Sequence, residues 1–121
     1  MTSDRDAGLE VMRELMPGVI PDGQVDLRDG GVGEELAELS LTNLFGSLWT
    51  RPGLDRRSRS LLTLGILIAQ GAGDELRAHF AIGRVNGLTD TELSEVIYHA
   101  TGYAGYPAAS AARRAARAAL D

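Results

Sequence analysis

The sequence of 121 residues contains neither cysteine nor lysine. The absence of cysteine excludes disulfides, thiolate metal ligands, cysteine nucleophiles and dithiol redox centres. The absence of lysine excludes a Schiff base on a lysine amine. Histidine occurs only twice, as His79 and His99, so any imidazole chemistry depends on these two residues and their neighbours.

Long apolar runs are also missing. The longest, residues 61–69, is interrupted by Thr63 and Gly65 and is far shorter than the roughly 20 residues of a membrane span. The first 15 residues carry charges where a signal peptide needs its apolar region. We therefore expect a cytoplasmic protein with no membrane partner.

The net charge of −5 is unevenly distributed. Residues 1–38 hold ten acidic residues against three arginines, whereas residues 39–121 hold seven against nine. The acidic N-terminal region argues against nucleic acid as a partner. A local group of arginines remains, and it is either a set of solvated charges at the start of a helix or a binding site for carboxylates: Arg51, Arg56, Arg57 and Arg59.

Apolar residues recur at helical spacing in most of the chain, and no segment has the period of a strand. We predict an all-α fold with about six helices, at residues 4–16, 34–50, 55–70, 74–85, 89–102 and 107–120. Residues 17–33 contain two prolines and five glycines, which predicts a loop or an extended arm that crosses to another subunit. The predicted domains are a helix with a glycine-rich arm in residues 1–33 and a helical domain in residues 34–121.

Helix boundaries are marked by capping residues. The predicted N-caps are Asp55, Asp74 and Thr89, and Thr89 with Glu92 has the spacing of a capping box. Gly71 and Gly73 are expected to close the third helix. Because residues 61–69 are apolar on every side, we expect other helices to enclose that segment.

Two pairs of side chains have the spacing needed for acid–base chemistry. Glu75 and His79 are four residues apart on one helix, so the carboxylate can orient the imidazole. Glu95, His99 and Tyr103 form a second row with the same spacing. The two pairs either converge on one cavity or face separate surfaces, and the first pair can also be read as a pair that only stabilises its helix.

Two other interpretations concern a metal and the tryptophan. Two histidines without cysteine and without a His-Glu-x-x-His element give little support to a zinc site, so we predict no metal.

Trp49, close to Arg51, is either an apolar wall of a pocket or an anchor in an interface between subunits.

Many positions resemble the carboxymuconolactone decarboxylase family, in its cysteine-free branch. The resemblance extends over about residues 34–120 and is carried by residues 49–57, 59–64, 74–76, 86–89 and 103–107, together with Gly46, His79, Glu92, Glu95 and His99. It implies an alkylhydroperoxidase D-like helical domain that assembles into a ring, commonly a hexamer built as a trimer of dimers. The two cysteine positions of the peroxidase branch are here Ala72 and Glu75, so thiol-dependent peroxidase activity is not expected.

For activity, the resemblance implies a lyase that removes carbon dioxide from a carboxylated unsaturated lactone, such as 4-carboxymuconolactone. Such a site needs positively charged side chains that bind carboxylates and a proton donor for the carbon that loses the carboxyl group. It needs no cofactor, because the substrate itself accepts the electron pair of the broken bond. The catalytic candidates are His79, as the donor, with Glu75 and His99. The candidates for substrate binding are Arg51, Arg59, Trp49 and Tyr103.

One departure from the family concerns Ser58. Decarboxylase relatives commonly have an acid at this position, just before the run that starts at Arg59. Either Glu75 acts without that acid or the reaction has changed. The alternatives are therefore a family member that acts on another carbonyl or lactone substrate in a biosynthetic pathway, and an oligomeric binding module without catalysis.

Overall fold

The computed structural model describes residues 3–121, and every regular element in that range is helical. The all-α prediction with about six helices is confirmed. The six α-helices and one π-helical segment are α1 (Asp4–Leu15), α2 (Leu36–Ser40), the π-helical segment Leu41–Gly46, α3 (Arg56–Gln70), α4 (Gly73–Val85), α5 (Asp90–Ala100) and α6 (Tyr106–Leu120). None of these helices is both long and apolar enough to cross a membrane.

The chain divides into two compact units, Met1–Gly53 and Leu54–Asp121. In the first unit, described from residue 3, helix α1 packs on the π-helical segment. The Ser3 hydroxyl caps α1 by accepting a hydrogen bond from the Asp6 amide at 3.1 Å. The apolar face of the helix is buried, which is what the helical spacing of its apolar residues predicts: Leu9, Val11 and Leu15.

The prediction of one continuous helix over residues 34–50 is wrong. Helix α2 ends at Ser40, the next six residues are π-helical, and turns follow. At the end of the π-helical segment the amides of Leu48 and Trp49 both donate to the Leu44 carbonyl at 3.0 Å. The buried residues Leu41 and Phe45 are four apart, a spacing that fits both helix types, so apolar periodicity could not reveal the change in backbone hydrogen bonding.

Residues 17–33, the predicted loop or arm, form neither helix nor strand. Side chains from both neighbouring helices hold it. Arg13 on α1 donates to the Pro21 carbonyl at 3.1 Å, and Glu38 on α2 accepts a hydrogen bond from the Leu27 amide at 3.0 Å. The arm therefore follows a defined path, and its crossing to another subunit stays a prediction.

The second unit contains α3 to α6 around a single core. Helix α4 packs on both α3 and α6. Small alanine side chains on α6 let this helix approach its neighbours closely, and Ala112 is fully buried. The core consists of Leu64, Ile68, Leu76, Phe80, Leu88, Leu93, Ala112, Ala115 and Ala116.

Two of the three predicted N-caps are present. The Asp55 carboxylate accepts from the Ser58 amide at 2.7 Å, and Thr89 with Glu92 forms the full capping box, at 3.1 and 3.0 Å. The third is wrong, because α4 begins one residue before Asp74 and its N-cap is Ala72. Gly71, with a φ of 67°, ends α3. Gly73 does not help to close α3, because it is already the first residue of α4.

The expectation that other helices enclose residues 61–69 does not hold within this unit. Leu64 and Ile68 are fully buried, but Leu62 is 58% exposed and Ile66 is 49% exposed. The reason is that α3 packs on α4, α5 and α6 with one face only, and its opposite face meets no other helix of this unit.

Candidate functional site

His79 lies on the buried side of α4. It follows Leu76 and precedes Phe80, which are both core residues, and only 7% of its surface is exposed. Its Nδ1 atom is buried. The core packing of α4 thus holds the imidazole in a largely desolvated position.

Burial lowers the pKa of the His79 imidazole below its ordinary value of 6.5, and the carboxylate of Glu75, one turn earlier, raises it in part. Glu75 itself is exposed. The predicted pair is therefore present as a buried imidazole beside a solvated carboxylate. At neutral pH the imidazole is mainly uncharged, and its protonated form is a stronger acid than a histidine in water.

A groove with a volume of about 730 Å³ lies between α3 and α5. Its apolar floor contains Leu61, Gly65 and Val96. The polar groups that line it are Glu92, Glu95, His99 and Tyr103. The rings of His99 and Tyr103 are tilted by 33° with their centroids 5.2 Å apart, so these two members of the predicted row are neighbours, although Tyr103 lies beyond the end of α5.

The groove brings together only one of the two predicted acid–histidine pairs. Among the described residues, its lining includes neither Glu75 nor His79. His99 is exposed, whereas His79 is buried. The two histidines therefore differ in solvation, and each follows a glutamate by four residues.

Glu92 lines the groove, although its spacing from Thr89 predicts only a role in a helix cap. Its carboxylate caps α5, forms an ion pair with Arg57 at the start of α3, and lines the groove. The capping-box spacing identified the first role. The other two depend on the packing of α3 against α5, for which the sequence carries no local signal.

The remaining predicted site residues lie in different units. Trp49, in the first unit, is buried and stacks on Phe45 with ring centroids 6.4 Å apart. Arg51 in the same unit is exposed. Arg59 lies in the second turn of α3, is partly exposed, and donates from Nε to the Leu54 carbonyl at 3.1 Å.

Ser58, at the position where the family resemblance implies an acid, is part of the N-terminal cap of α3. Its amide donates to the Asp55 carboxylate, and its side chain is partly buried. Hydrogen bonds from Ser58 lower the pKa of Asp55 below its ordinary value. The carboxylate in this turn thus belongs to Asp55, three residues before the position at which the family resemblance implies one.

A polar contact that the sequence analysis missed joins α3 to the end of α4. The Asn86 side-chain amide donates to the hydroxyl of Ser60 at 2.8 Å, and Ser60 is fully buried. Asn86 and Ser60 are 26 residues apart, so local spacing carries no sign of this contact. A serine within an otherwise apolar buried face was the available signal, since buried hydroxyls need a partner.

Within residues 3–121, no three or more histidine, aspartate or glutamate side chains are grouped so that they could hold a metal ion. The arrangement offers two imidazole–carboxylate pairs and several guanidinium groups, which suit proton transfer and the binding of carboxylates.

Comparison with known sequences identifies the family. The sequence model of the carboxymuconolactone decarboxylase family matches residues 34–118. The chain belongs to this family.

The similar curated proteins include two decarboxylases. One is 4-carboxymuconolactone decarboxylase of Acinetobacter baylyi, which is 40% identical over 103 residues that cover 73% of this chain and 77% of the relative. Another is nitrosuccinic acid decarboxylase of Metarhizium robertsii, which is 49% identical over 63 residues that cover 52% of this chain and 44% of the relative. An uncharacterised 15.0 kDa protein of Paracoccus denitrificans is 35% identical over 66 residues, 53% of this chain and 49% of that protein. These relatives support a decarboxylase-like lyase.

Proposed function

We propose that this protein is a cofactor-independent decarboxylase of a small carboxylate whose carboxyl group lies next to an electron-withdrawing group. A carboxylated unsaturated lactone of the 4-carboxymuconolactone type is the first candidate. The observation that carries the proposal is the 40% identity to a 4-carboxymuconolactone decarboxylase over 77% of that relative, combined with a buried histidine one turn after a glutamate.

The chemistry requires two functions from the protein. When the carbon–carbon bond breaks, its electron pair passes into the adjacent unsaturated group and carbon dioxide leaves. A proton must then be delivered to the carbon that lost the carboxyl group. Because the substrate provides the electron sink, the protein has only to bind the anion and supply the proton.

We assign the proton transfer to His79 on the basis of its environment. Burial makes its imidazolium a stronger acid, and Glu75 restores part of the protonated population that burial removes. General acids work best when their pKa lies near the working pH. Burial, the larger effect, moves the pKa of His79 away from neutral pH, and Glu75 moves it part of the way back.

The groove that contains His99 is less suited to an anionic substrate. Two carboxylates, Glu92 and Glu95, line it, and Arg57 pairs with only one of them. Like charges disfavour the approach of a carboxylate. We therefore give His99 and Tyr103 auxiliary roles at most, and within the second unit we assign the binding of the substrate carboxylate to Arg59.

A second candidate function is decarboxylation of a different substrate. It is favoured by Ser58 in place of the family's acid and by the 49% identity to a nitrosuccinic acid decarboxylase over part of the chain. A nitro group can take up the electron pair as a lactone carbonyl does. Both reactions need the same two functions from the protein, which are binding of the anion and delivery of a proton. The two candidate functions therefore differ only in the substrate.

The experiment compares both substrates directly. Purified protein is incubated with 4-carboxymuconolactone and, separately, with nitrosuccinate, and carbon dioxide release is followed against a heat-treated control. Release from the lactone supports the first function, and release from nitrosuccinate alone supports the second. No release from either substrate would contradict the proposal.

A further inference from the structure

A second cavity, separate from both histidines, lies between the end of α4, α5 and the C-terminal half of α6. It has a volume of about 310 Å³, which is at the lower end of the range for small-molecule sites. Its apolar floor is formed by Leu93, Ile97, Ala116 and Leu120. Three arginines surround this floor: Arg84, Arg113 and Arg117.

Two of these arginines already hold a carboxylate. Arg84 binds both oxygens of Asp90, at 2.8 and 2.9 Å, and Arg117 pairs with Asp121. Within residues 3–121, Arg113 has no carboxylate at ion-pair distance. The side chains around the cavity therefore carry one more positive than negative charge, and Arg113 is the cation available to a ligand.

Two hydroxyl groups line the same cavity. Ser94 is partly buried, and Tyr98 is 61% exposed although tyrosine has a large apolar ring. In the part of the chain that the structure describes, neither hydroxyl takes part in a hydrogen bond with protein. A guanidinium and two hydroxyls around an apolar floor are the groups that recognise a carboxylate attached to an apolar body.

We propose that this cavity binds a small carboxylate with an apolar body of about one ring. The carboxylate would lie on Arg113, with Ser94 and Tyr98 as hydrogen-bond donors. The apolar body would cover Ile97 and Leu120. The site is independent of the proposed function, because its lining shares no residue with Glu75, His79 or the groove between α3 and α5.

Benzoate is the probe, and its binding is measured by ligand-observed NMR titration of the full chain. We expect a dissociation constant on the order of 1 mM, which is usual for a ligand of this size. Arg113→Gln should weaken binding about tenfold, because a charge-assisted hydrogen bond is lost. Benzamide, which has the same ring without the charge, should bind the unaltered protein as weakly as benzoate binds the variant.

Two control variants separate this site from others. Arg114 is the exposed neighbour on α6 that does not line the cavity, so Arg114→Gln should leave benzoate binding within about twofold of the unaltered protein. His79→Gln should do the same. Equal weakening by Arg114→Gln, equal binding of benzamide, or no binding of benzoate would overturn the proposal. Loss of binding in His79→Gln would place benzoate in the decarboxylase site and would also overturn it.

Discussion

Gly8 on α1 lies directly against the backbone of Leu41, so that a Cβ atom on Gly8 would be 2.0 Å from the Leu41 carbonyl oxygen. The same relationship recurs at Gly46, where a Cβ would be 2.0 Å from the Asp4 carbonyl oxygen. Backbone atoms cannot move aside as a flexible side chain can. The packing of α1 on the π-helical segment therefore requires glycine at both positions.

We predict that Gly8→Ala destabilises the protein by about 1–3 kcal/mol, the usual cost of overpacking a well-packed contact. Gly65→Ala is the matched control, because Gly65 lies inside α3 and a Cβ there would meet nothing within 4 Å. In an open helix position, alanine should be neutral or stabilising by up to about 1 kcal/mol. Urea unfolding of both variants tests this, and equal effects would contradict the packing argument.

Most helices and two of the three N-caps could be predicted from the sequence, because they depend on neighbouring residues. Thr89 and Glu92 are three apart, and their capping box formed as expected. The requirement for glycine at position 8 could not be predicted, because it depends on Leu41, 33 residues away. Glu92 likewise became a groove residue only through the packing of α3 on α5.

The spacing of residues in the sequence indicates which side chains share a helix face, but not which of them share a cavity. The spacing of Glu75 and His79 indicated one helix face, and the burial of His79 follows from its core neighbours Leu76 and Phe80. Spacing alone could not decide whether His99 shares a cavity with His79, because that depends on how α4 and α5 are oriented. The exposed face of α3 was mispredicted for a similar reason, since apolar character does not reveal which helices are adjacent.

The arm is held by the carboxylate of Glu38, which accepts hydrogen bonds from Arg5 at 2.8 and 2.9 Å and from the Leu27 amide. These hydrogen bonds lower the pKa of Glu38 from 4.5 to about 2, and the largest contribution comes from Arg5. The contribution of Glu38 to stability is therefore complete above about pH 4.5 and is lost as the pH falls towards 2.

We expect Glu38→Gln to increase hydrogen exchange at the Leu27 amide and along residues 17–33, because the charged partner of Arg5 is lost. Glu10→Gln on the exposed side of α1 is the control and should leave exchange in the arm unchanged. Hydrogen exchange with mass spectrometry at pH 7 gives both results. Equal protection of the arm in the two variants would show that Glu38 does not hold it.

The lowered pKa of His79 also predicts a loss of stability as the pH falls. Here the cause is that burial disfavours the charged form of the imidazole. Because the folded-state pKa lies below the ordinary 6.5, the unfolded chain takes up the proton first as the pH falls. The free energy of unfolding should be highest above about pH 6.5 and should decrease as the pH falls from there towards the folded-state pKa. Urea unfolding between pH 5 and 8 should show a smaller decrease for His79→Gln than for His99→Gln. The reverse order would contradict the assignment of burial as the cause.

Self-association is predicted from the exposed apolar face of α3, where Leu62 is 58% and Ile66 is 49% exposed. Exposed apolar side chains on adjacent turns favour an interface between copies, and the family resemblance points to a hexamer. Light scattering should give about six times the chain mass of 12.9 kDa. Leu62→Glu should lower that mass, whereas Val85→Glu, on an exposed position of α4, should not. A monomer of the unaltered protein at micromolar concentration would contradict the prediction.

The assignment of proton transfer to His79 is tested most directly by comparing His79→Gln with His99→Gln in carbon dioxide release from whichever substrate the unaltered protein accepts. His79→Gln should reduce turnover by about 10²–10⁴-fold, which is the usual contribution of a general acid–base group, with the oligomer intact. His99→Gln should cost less and act mainly on KM, because His99 lies in the exposed groove. If both variants lost little activity, or if His99→Gln lost more, the assignment to His79 would be wrong.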